Sequence, residues 1–153
     1  MKKDIVFLIA QFITFTLYVV DPFYAPQEIP SLLAYIAIFF MVLGVIIIFF
    51  GILNLNDNLG HTTSTLKNTT GFFRGIYKYV RHPIYAGMLI VMLAVAFYMS
   101  SWFKGILSLT LGIIFYYKSS LEEQKLMEQY LQYEEYTRTT GRFFPRLRHI
   151  RSR

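Results

Sequence analysis

Residues 32–53 read LLAYIAIFFMVLGVIIIFFGIL, a run of 22 residues without a single charge. A helix needs about 20 apolar residues to cross the hydrocarbon core of a bilayer, and this run reaches that length unaided. Three shorter apolar runs, each with at most one charged residue, lie at 5–21, 84–99 and 102–117. The sequence therefore predicts an all-α integral membrane protein, a helical bundle with about four transmembrane helices, built as a single domain over residues 1–153.

The composition favours membrane helices over the buried helices of a soluble core. Of the 153 residues, 55% are hydrophobic and only 16% are charged, whereas a soluble domain carries about 25% charged residues. Cysteine is absent, which excludes disulfides and thiolate catalysis. The histidines His61, His82 and His149 have no metal-ligand spacing, and we predict no metal site.

The basic residues indicate how the chain is oriented. Of the 15 Lys and Arg residues, 14 lie before the first span, in the loop 54–83 or in the tail 118–153. The positive-inside rule places these segments, and so both termini, in the cytoplasm. The first run also resembles a signal peptide, but residues 22–25 are too bulky for a cleavage site, so we expect a retained span.

The cytoplasmic tail contains two kinds of surface. Residues 121–136 place leucines and tyrosines among glutamates, which predicts a C-terminal amphipathic cytoplasmic helix. Beyond this helix the chain is rich in arginine. Beside a bilayer such a run favours contact with anionic membrane lipids, and we do not predict nucleic-acid binding.

The loop 54–83 ends in a group of residues suited to binding. Pro83 fits the first turn of a helix, whose free N–H groups can hold an anionic group. His82 and Tyr85 then lie on one helical face at the mouth of the bundle. The alternative is that Arg81 only marks the membrane boundary and that Tyr85 belongs to an aromatic belt.

A second polar group follows the fourth apolar run. Lys118 and Glu122 are one helical turn apart and could form an ordinary surface pair. However, only Ser100-Ser101 joins the last two runs, which favours an antiparallel hairpin, although one arm could be re-entrant. The hairpin would bring His82 and Tyr85 opposite Lys118 and Glu122, and ionisable groups at such a mouth indicate a site.

These residues belong to strings that resemble a known family. The chain reads GIYKYVRHPIYAG over 75–87, EEQKL over 122–126, YEEY over 133–136 and GRFFP over 141–145. In this order, flanking a hairpin, the strings resemble the isoprenylcysteine carboxyl methyltransferase family, which is related to the membrane phospholipid methyltransferases. The resemblance covers roughly residues 59–145, and the first two spans match only in being apolar.

The resemblance implies a membrane enzyme that uses S-adenosylmethionine without a Rossmann-type domain. It implies a cytoplasm-facing cofactor pocket under a roof formed by the C-terminal segment. Residues 69–72 match a further cofactor-contacting stretch only weakly. Six residues are carried over as cofactor-binding: Tyr77, His82, Pro83, Ile84, Tyr85 and Glu122.

Two residues are predicted to be catalytic: Lys118 by the resemblance, and Glu123 as a candidate proton acceptor. Lys118 stands where the prenylcysteine enzymes have an arginine that orients the substrate carboxylate, and a lysine cannot make the same two-pronged contact. A carboxylate acceptor needs no general base, whereas an amine acceptor would lose its proton to His82 or Glu123. We therefore expect O- or N-methylation of a lipidic or hydrophobic small acceptor.

Two alternative functions remain at this point. Membrane sterol reductases resemble the C-terminal region and bind a nicotinamide cofactor there, although they are much larger. A non-enzymatic membrane adaptor could also keep these motifs for structural reasons.

Overall fold

The computed structural model describes residues 2–25, 27–60, 75–130 and 132–146. Within these ranges the regular structure is helical and no β-strand forms, so the predicted all-α class is confirmed. The elements in chain order are α1 (Lys2–Val20), α2 (Ser31–Gly60), a 3₁₀ turn (Gly75–Lys78), α3 (Pro83–Tyr98), α4 (Trp102–Gln129) and α5 (Tyr133–Thr139).

The C-terminal helices differ from the prediction. The fourth apolar run ends at 117, but α4 continues to Gln129, because residues 118–129 contain neither glycine nor proline and are rich in good helix formers. The single helix predicted over 121–136 is therefore corrected to the end of α4, an extended Tyr130, and the short α5.

The predicted loop and tail are described only in part. The first seven residues of the loop 54–83 belong to the end of α2, and its last residues form the 3₁₀ turn and the start of α3. Residues 61–74 lie outside the described part of the chain, as do 147–153, which contain three of the six arginines of the arginine-rich end. The weakly matching stretch 69–72 falls among them.

Only one of the described helices is long and apolar enough, by length and composition, to cross a membrane. This is the part of α2 over Ser31–Leu55, 25 residues long. The apolar parts of α1 and α3, Ile5–Val20 and Pro83–Tyr98, are shorter than the usual span. The structure thus supports one clear membrane-span candidate rather than the four that the sequence predicts.

The helices pack in the spatial order α2, α3, α4, α1. Glycines let α2 and α3 touch along their backbones: a Cβ at Gly87 would lie 2.7 Å from the Gly44 carbonyl oxygen, and one at Gly44 only 2.8 Å from the Gly87 oxygen. Small residues commonly allow this close approach between membrane helices. The contact fixes α2 beside the beginning of α3.

The core lies where α1, α3 and α4 meet. Leu111 and Phe115 of α4 are completely buried there, and Tyr18 donates a hydrogen bond to the Met92 carbonyl oxygen at 2.5 Å. This bond ties α1 to α3 through a group that would otherwise be unpaired in an apolar setting.

A buried ionic cluster lies at the end of the bundle where α1 ends and α4 begins. Lys104 lies 3.5 Å from Asp21, and the Ser101 hydroxyl donates to the same carboxylate at 2.7 Å. Ser101 also caps α4 by accepting from the Lys104 backbone N–H. The cluster joins the end of α1 to the beginning of α4, and the sequence analysis, which placed Asp21 and Lys104 at the ends of two apolar runs, did not predict that they pair.

Candidate active site

The C-terminal segment is fastened to the residues that precede α3. The N–H groups of Arg81 and His82 donate to the carbonyl oxygens of Gly141 and Arg142 at 2.9 and 3.0 Å. The Arg81 side chain adds a bond to the Thr137 carbonyl oxygen at 2.6 Å. These contacts hold the segment after α4 as a roof over the beginning of α3.

A glycine turn sets the other wall. Gly75 has φ +58°, and a Cβ there would overlap the side-chain oxygen of Asn54 at 1.2 Å, so this left-handed position requires glycine. Two residues later the Tyr77 hydroxyl donates to the Gly51 carbonyl oxygen at 3.2 Å. The Tyr136 hydroxyl donates to the carbonyl oxygen of Tyr77 at 2.6 Å. Tyr77 therefore joins α2 to the roof.

The beginning of α3 lies at the cavity and has no side-chain cap. Pro83 occupies the first turn, and the N-cap residue His82 makes no side-chain capping bond. By helix geometry the N–H groups of Ile84 and Tyr85 have no acceptor within the helix. This end therefore carries partial positive charge that suits an anionic group.

A cavity of about 280 Å³ lies between these parts, slightly below the roughly 300–1,000 Å³ that is typical of ligand pockets. All six residues predicted to bind the cofactor line it. The remaining lining residues are Leu55 from α2, Arg81, Leu126 from α4, and Tyr133 and Tyr136 from α5. The structure brings His82 and Tyr85 together with Glu122 at this cavity, as the hairpin argument predicted, but Lys118, the fourth residue of that argument, does not line it.

Aromatic rings form one wall of the cavity. The ring of Tyr85 stacks on His82 with 5.6 Å between centroids and an interplanar angle of 5°. It also stacks against the buried ring of Phe115 at 4.5 Å. The Tyr85 hydroxyl donates to Glu122 Oε1 at 2.8 Å. The stacking fixes the Tyr85 ring, and the hydrogen bond from its hydroxyl fixes the Glu122 carboxylate beside the cavity.

Glu122 and Glu123 have opposite environments. The side chain of Glu122 is 38% exposed and borders the cavity, whereas that of Glu123 is only 3% exposed. Glu123 lies 3.0 Å from His82 Nε2 and 2.9 Å from Arg81 Nε, and it accepts from Arg142 at 2.6 Å. It therefore sits in a cluster behind the cavity, although the sequence predicted a catalytic role for it.

The cluster keeps Glu123 ionised. Burial alone would raise the pKa of its carboxyl, but hydrogen bonds from His82 and Arg142 and the nearby Arg81 charge outweigh burial and lower the pKa to about 2. An ionised carboxylate can only accept, so His82 Nε2 carries the hydrogen. The other ring nitrogen of His82, Nδ1, lies 3.8 Å from Glu122 Oε2.

Lys118, the other predicted catalytic residue, does not line the cavity. Its ammonium lies 3.3 Å from Gln11 Oε1 on α1 and 5.5 Å from the centre of the Tyr85 ring. The ordinary surface pair with Glu122 is not formed, because Glu122 instead accepts from Tyr85. Lys118 is thus near the site but separated from the cavity by the tyrosine ring.

Buried tyrosines complete the cavity as neutral groups. Burial raises the pKa of Tyr77 to about 12, and burial also raises the pKa of Tyr133 and Tyr136. Their hydroxyls therefore remain protonated donors at neutral pH. The sequence argument quoted Tyr133 and Tyr136 within a motif but gave them no place in the pocket, and Leu55 carried no signal at all.

Comparison with known proteins agrees with this geometry. The sequence model of the isoprenylcysteine carboxyl methyltransferase (ICMT) family matches residues 36–129, well over half of the chain. The chain belongs to the ICMT family. Curated proteins and solved structures gave no match.

Membership of the ICMT family implies a membrane methyltransferase. It gives no support to the nicotinamide-dependent alternative. The matched region begins at 36 and so includes most of α2. The sequence analysis had found α2 similar to the family only in its apolar composition. It excludes α1 and everything after α4.

Proposed function

We propose that this ICMT family member transfers a methyl group from S-adenosylmethionine to a lipidic or hydrophobic small acceptor, with the cavity as the donor site. The observation that carries this proposal is the convergence around one cavity of the Tyr77 ring, a half-exposed carboxylate and a helix start without a side-chain cap. In the same order, these three features suit the sulfonium, the ribose hydroxyls or ammonium group, and the carboxylate of the donor.

Each part of the donor has a suitable partner among the lining residues. The ring of Tyr77 can attract the sulfonium cation, whereas the ring of Tyr85 is already stacked on His82 and Phe115. Glu122 can accept hydrogen bonds from the ribose hydroxyls or the ammonium group, and the N–H groups of Ile84 and Tyr85 can receive the carboxylate. The sulfonium activates the methyl group for displacement, so the protein contributes alignment and exclusion of water.

We assign Glu123 to positioning rather than to contact with the acceptor. Through His82 Nε2 it fixes the imidazole so that Nδ1 faces Glu122. An amine acceptor can release its proton to Nδ1, while a carboxylate acceptor needs no such step. The same arrangement therefore supports N- or O-methylation, and the family description, which names a carboxyl group on isoprenylcysteine, favours a carboxylate on a hydrophobic carrier.

We further propose four transmembrane helices within a single domain over residues 1–153, with both termini and the cavity on the cytoplasmic side. The apolar parts of α1, α2 and α3 and the first 16 residues of α4 would cross the bilayer. The span candidate in α2 and the basic residues in alternate connections support this topology. The acceptor would then reach the site from the cytoplasmic leaflet.

Calorimetry on the detergent-purified protein tests the donor site. We expect S-adenosylmethionine and its demethylated product to bind with Kd of roughly micromolar order, as is common for enzyme ligands. His82→Ala and Glu122→Gln should each weaken binding by about 10-fold or more, since a hydrogen bond to a charged group contributes about 1.5–3 kcal/mol.

The matched control is Glu134→Gln, because Glu134 is an exposed α5 glutamate paired with Arg138 and lies away from the cavity. Its affinity for the donor should equal that of the unmodified protein. Absence of heat from both ligands with folded protein would end the proposal. Transfer of labelled methyl into total lipid extract, compared with prenylated thiol acids, then identifies the acceptor class.

A further inference from the structure

A second hollow lies along the hairpin of α3 and α4. It is a groove of about 560 Å³, and no described residue of α1 or α2 lines it. Deep in the groove the Ser108 hydroxyl donates to the Lys104 carbonyl oxygen of its own helix, so it needs no polar ligand. The walls include Leu89 and Leu93 of α3, Gly112 and Ile113 of α4, and Phe143 and Phe144 of the roof. Such a lining suits a hydrocarbon chain.

The groove has the length of one leaflet. Its lining on α4 runs from Ser108 to Tyr117, nine residues that extend about 14 Å, close to half of the roughly 30 Å hydrocarbon core. The roof end is the cytoplasmic end in the topology proposed above. The groove therefore fits one acyl chain of a lipid in the cytoplasmic leaflet.

The groove is separate from the donor cavity. Among the described residues, none lines both hollows. Phe143 lies between them, because its ring borders the groove on one side and is 6.2 Å from the His82 ring on the other. A chain in the groove is thus not presented to the donor, which argues for a bound lipid that is not the methyl acceptor.

An arginine lies at the roof end of the groove. The guanidinium of Arg142 is 4.8 Å from the centre of the Tyr116 ring, which lines the groove. Its Nη2 donates to Glu123 at 2.6 Å, whereas its Nη1 makes only a long contact of 3.5 Å with the Tyr116 carbonyl oxygen. Nη1 can therefore still donate to an oxyanion at the end of the groove.

The charges around Arg142 are not balanced. Glu123 is shared by Arg81 and Arg142, and within the described part of the chain no other carboxylate lies within 4.0 Å of either guanidinium. Arg146 adds a further positive charge to the roof, and no acidic residue follows Glu135 in the sequence. This excess suits a phosphate, and anionic lipids give the cytoplasmic leaflet its negative surface potential.

We propose that the groove is the binding site of an anionic phospholipid that stays with the protein as a structural lipid. One acyl chain lies between α3 and α4, and the phosphate lies at Arg142. The lipid covers Phe144, whose side chain is otherwise 74% exposed, and so joins the roof to both arms of the hairpin. The site goes beyond the proposed methyl transfer and does not depend on it, since its occupation requires no donor.

Photo-crosslinking tests the site. Phosphatidylglycerol and phosphatidylcholine, each with the same diazirine-bearing chain, are placed in nanodiscs of unlabelled phosphatidylcholine, and the labelled peptides are mapped by mass spectrometry. We expect phosphatidylglycerol to reach half-maximal labelling of the groove peptides at a mole fraction about 10-fold lower than phosphatidylcholine does. Arg142→Gln should reduce this preference to about 2-fold or less, and Arg142→Lys, which keeps the charge, should retain most of it.

A second variant fills the groove without touching the arginine. A Cβ at Gly112 meets only the Leu89 methyl groups, the nearest at 3.6 Å, so Gly112→Leu adds its bulk to the groove. It should lower labelling of the groove peptides by phosphatidylglycerol by about 5-fold or more. Gly105→Leu is the matched change on α4 outside the groove, and Arg138→Gln removes an exposed arginine on α5. Both should label like the unmodified protein.

Three results would overturn the proposal. The first is equal labelling by the two lipids in the unmodified protein, and the second is equal labelling of Gly112→Leu and Gly105→Leu. The third is a crosslink from the groove to a second copy of the chain in place of the lipid. Methyl transfer is read separately: labelled methyl in phosphatidylglycerol would make it an acceptor and contradict the structural role, whereas a protein that binds no donor but still captures this lipid would leave the site standing.

Discussion

At the residue scale, two neighbouring glutamates have separate tasks. Consecutive residues on a helix point about 100° apart, so Glu122 borders the cavity while Glu123 faces Arg81, His82 and Arg142. The sequence could predict that both acids lie near His82, because the hairpin requires it. It could not predict which acid faces the cavity, since that depends on the rotation of α4 and on the return of the chain at Arg142.

The buried position of Glu123 leads to a specific pH dependence. Its pKa falls from an ordinary 4.5 to about 2 in the folded protein. A lowered pKa stabilises the fold fully above pH 4.5, and this contribution is lost as the pH falls toward 2. We expect the thermal unfolding midpoint to drop across this window and to be unaffected by this group above about pH 5.

Glu123→Gln isolates this contribution. The variant should be less stable at pH 7 by roughly 3–5 kcal/mol, because it leaves the buried cations without their carboxylate. The difference in midpoint from the unmodified protein should shrink as the pH falls below 4.5. A difference that stays constant down to pH 3 would show that Glu123 is not ionised in the cluster.

At the scale of elements, the apolar runs predicted where helices occur but not where they end or touch. The prediction stopped α4 at the last apolar residue, although helix propensity continues through the polar residues after it. The close contact of α2 with α3 had only weak sequence signals, because a glycine at 44 or 87 gains meaning only when the two helices are placed side by side.

The contact between α2 and α3 can be tested by adding one methyl group. In Gly87→Ala the new Cβ would meet the Gly44 carbonyl oxygen and Ile48 at 2.7 Å, which should cost about 1–3 kcal/mol of folding free energy. Because α2 carries Leu55 and the carbonyl oxygen that holds Tyr77, we also expect weaker binding of S-adenosylmethionine in calorimetry.

Gly105→Ala is the matched control. A Cβ at Gly105 meets nothing within 4 Å, and alanine in a helix is favoured over glycine by about 1 kcal/mol. This variant should keep its donor affinity and unfold at the same or a higher temperature. Equal behaviour of the two variants would contradict the close helix contact.

At the scale of the whole molecule, the charge distribution predicts an orientation that helix packing cannot supply. The contacts between packed helices are the same in either orientation of the protein in the bilayer, whereas basic residues favour the cytoplasmic side. The cysteine-free sequence makes this orientation directly measurable, since any introduced thiol is unique.

We predict that Glu28→Cys reacts with a membrane-impermeant maleimide in intact cells and that Glu134→Cys reacts only after permeabilisation. Both positions are exposed in the structure, so accessibility differs only through the membrane. The unmodified protein serves as the blank because it contains no thiol. Labelling of both variants in intact cells, or the reverse pattern, would contradict the proposed topology.

The unbroken length of α4 has a consequence for the lipid environment. Its 28 residues extend about 42 Å, well beyond the roughly 30 Å of the hydrocarbon core. Lys104 is held near one end by Asp21, and Glu122 lies 18 residues further along. The unbroken helix therefore fixes the distance between the buried ionic cluster and the cavity. In the proposed topology, a thicker bilayer would place the mouth of the cavity deeper below the cytoplasmic surface, so membrane thickness would set how far a lipid substrate must move to reach it.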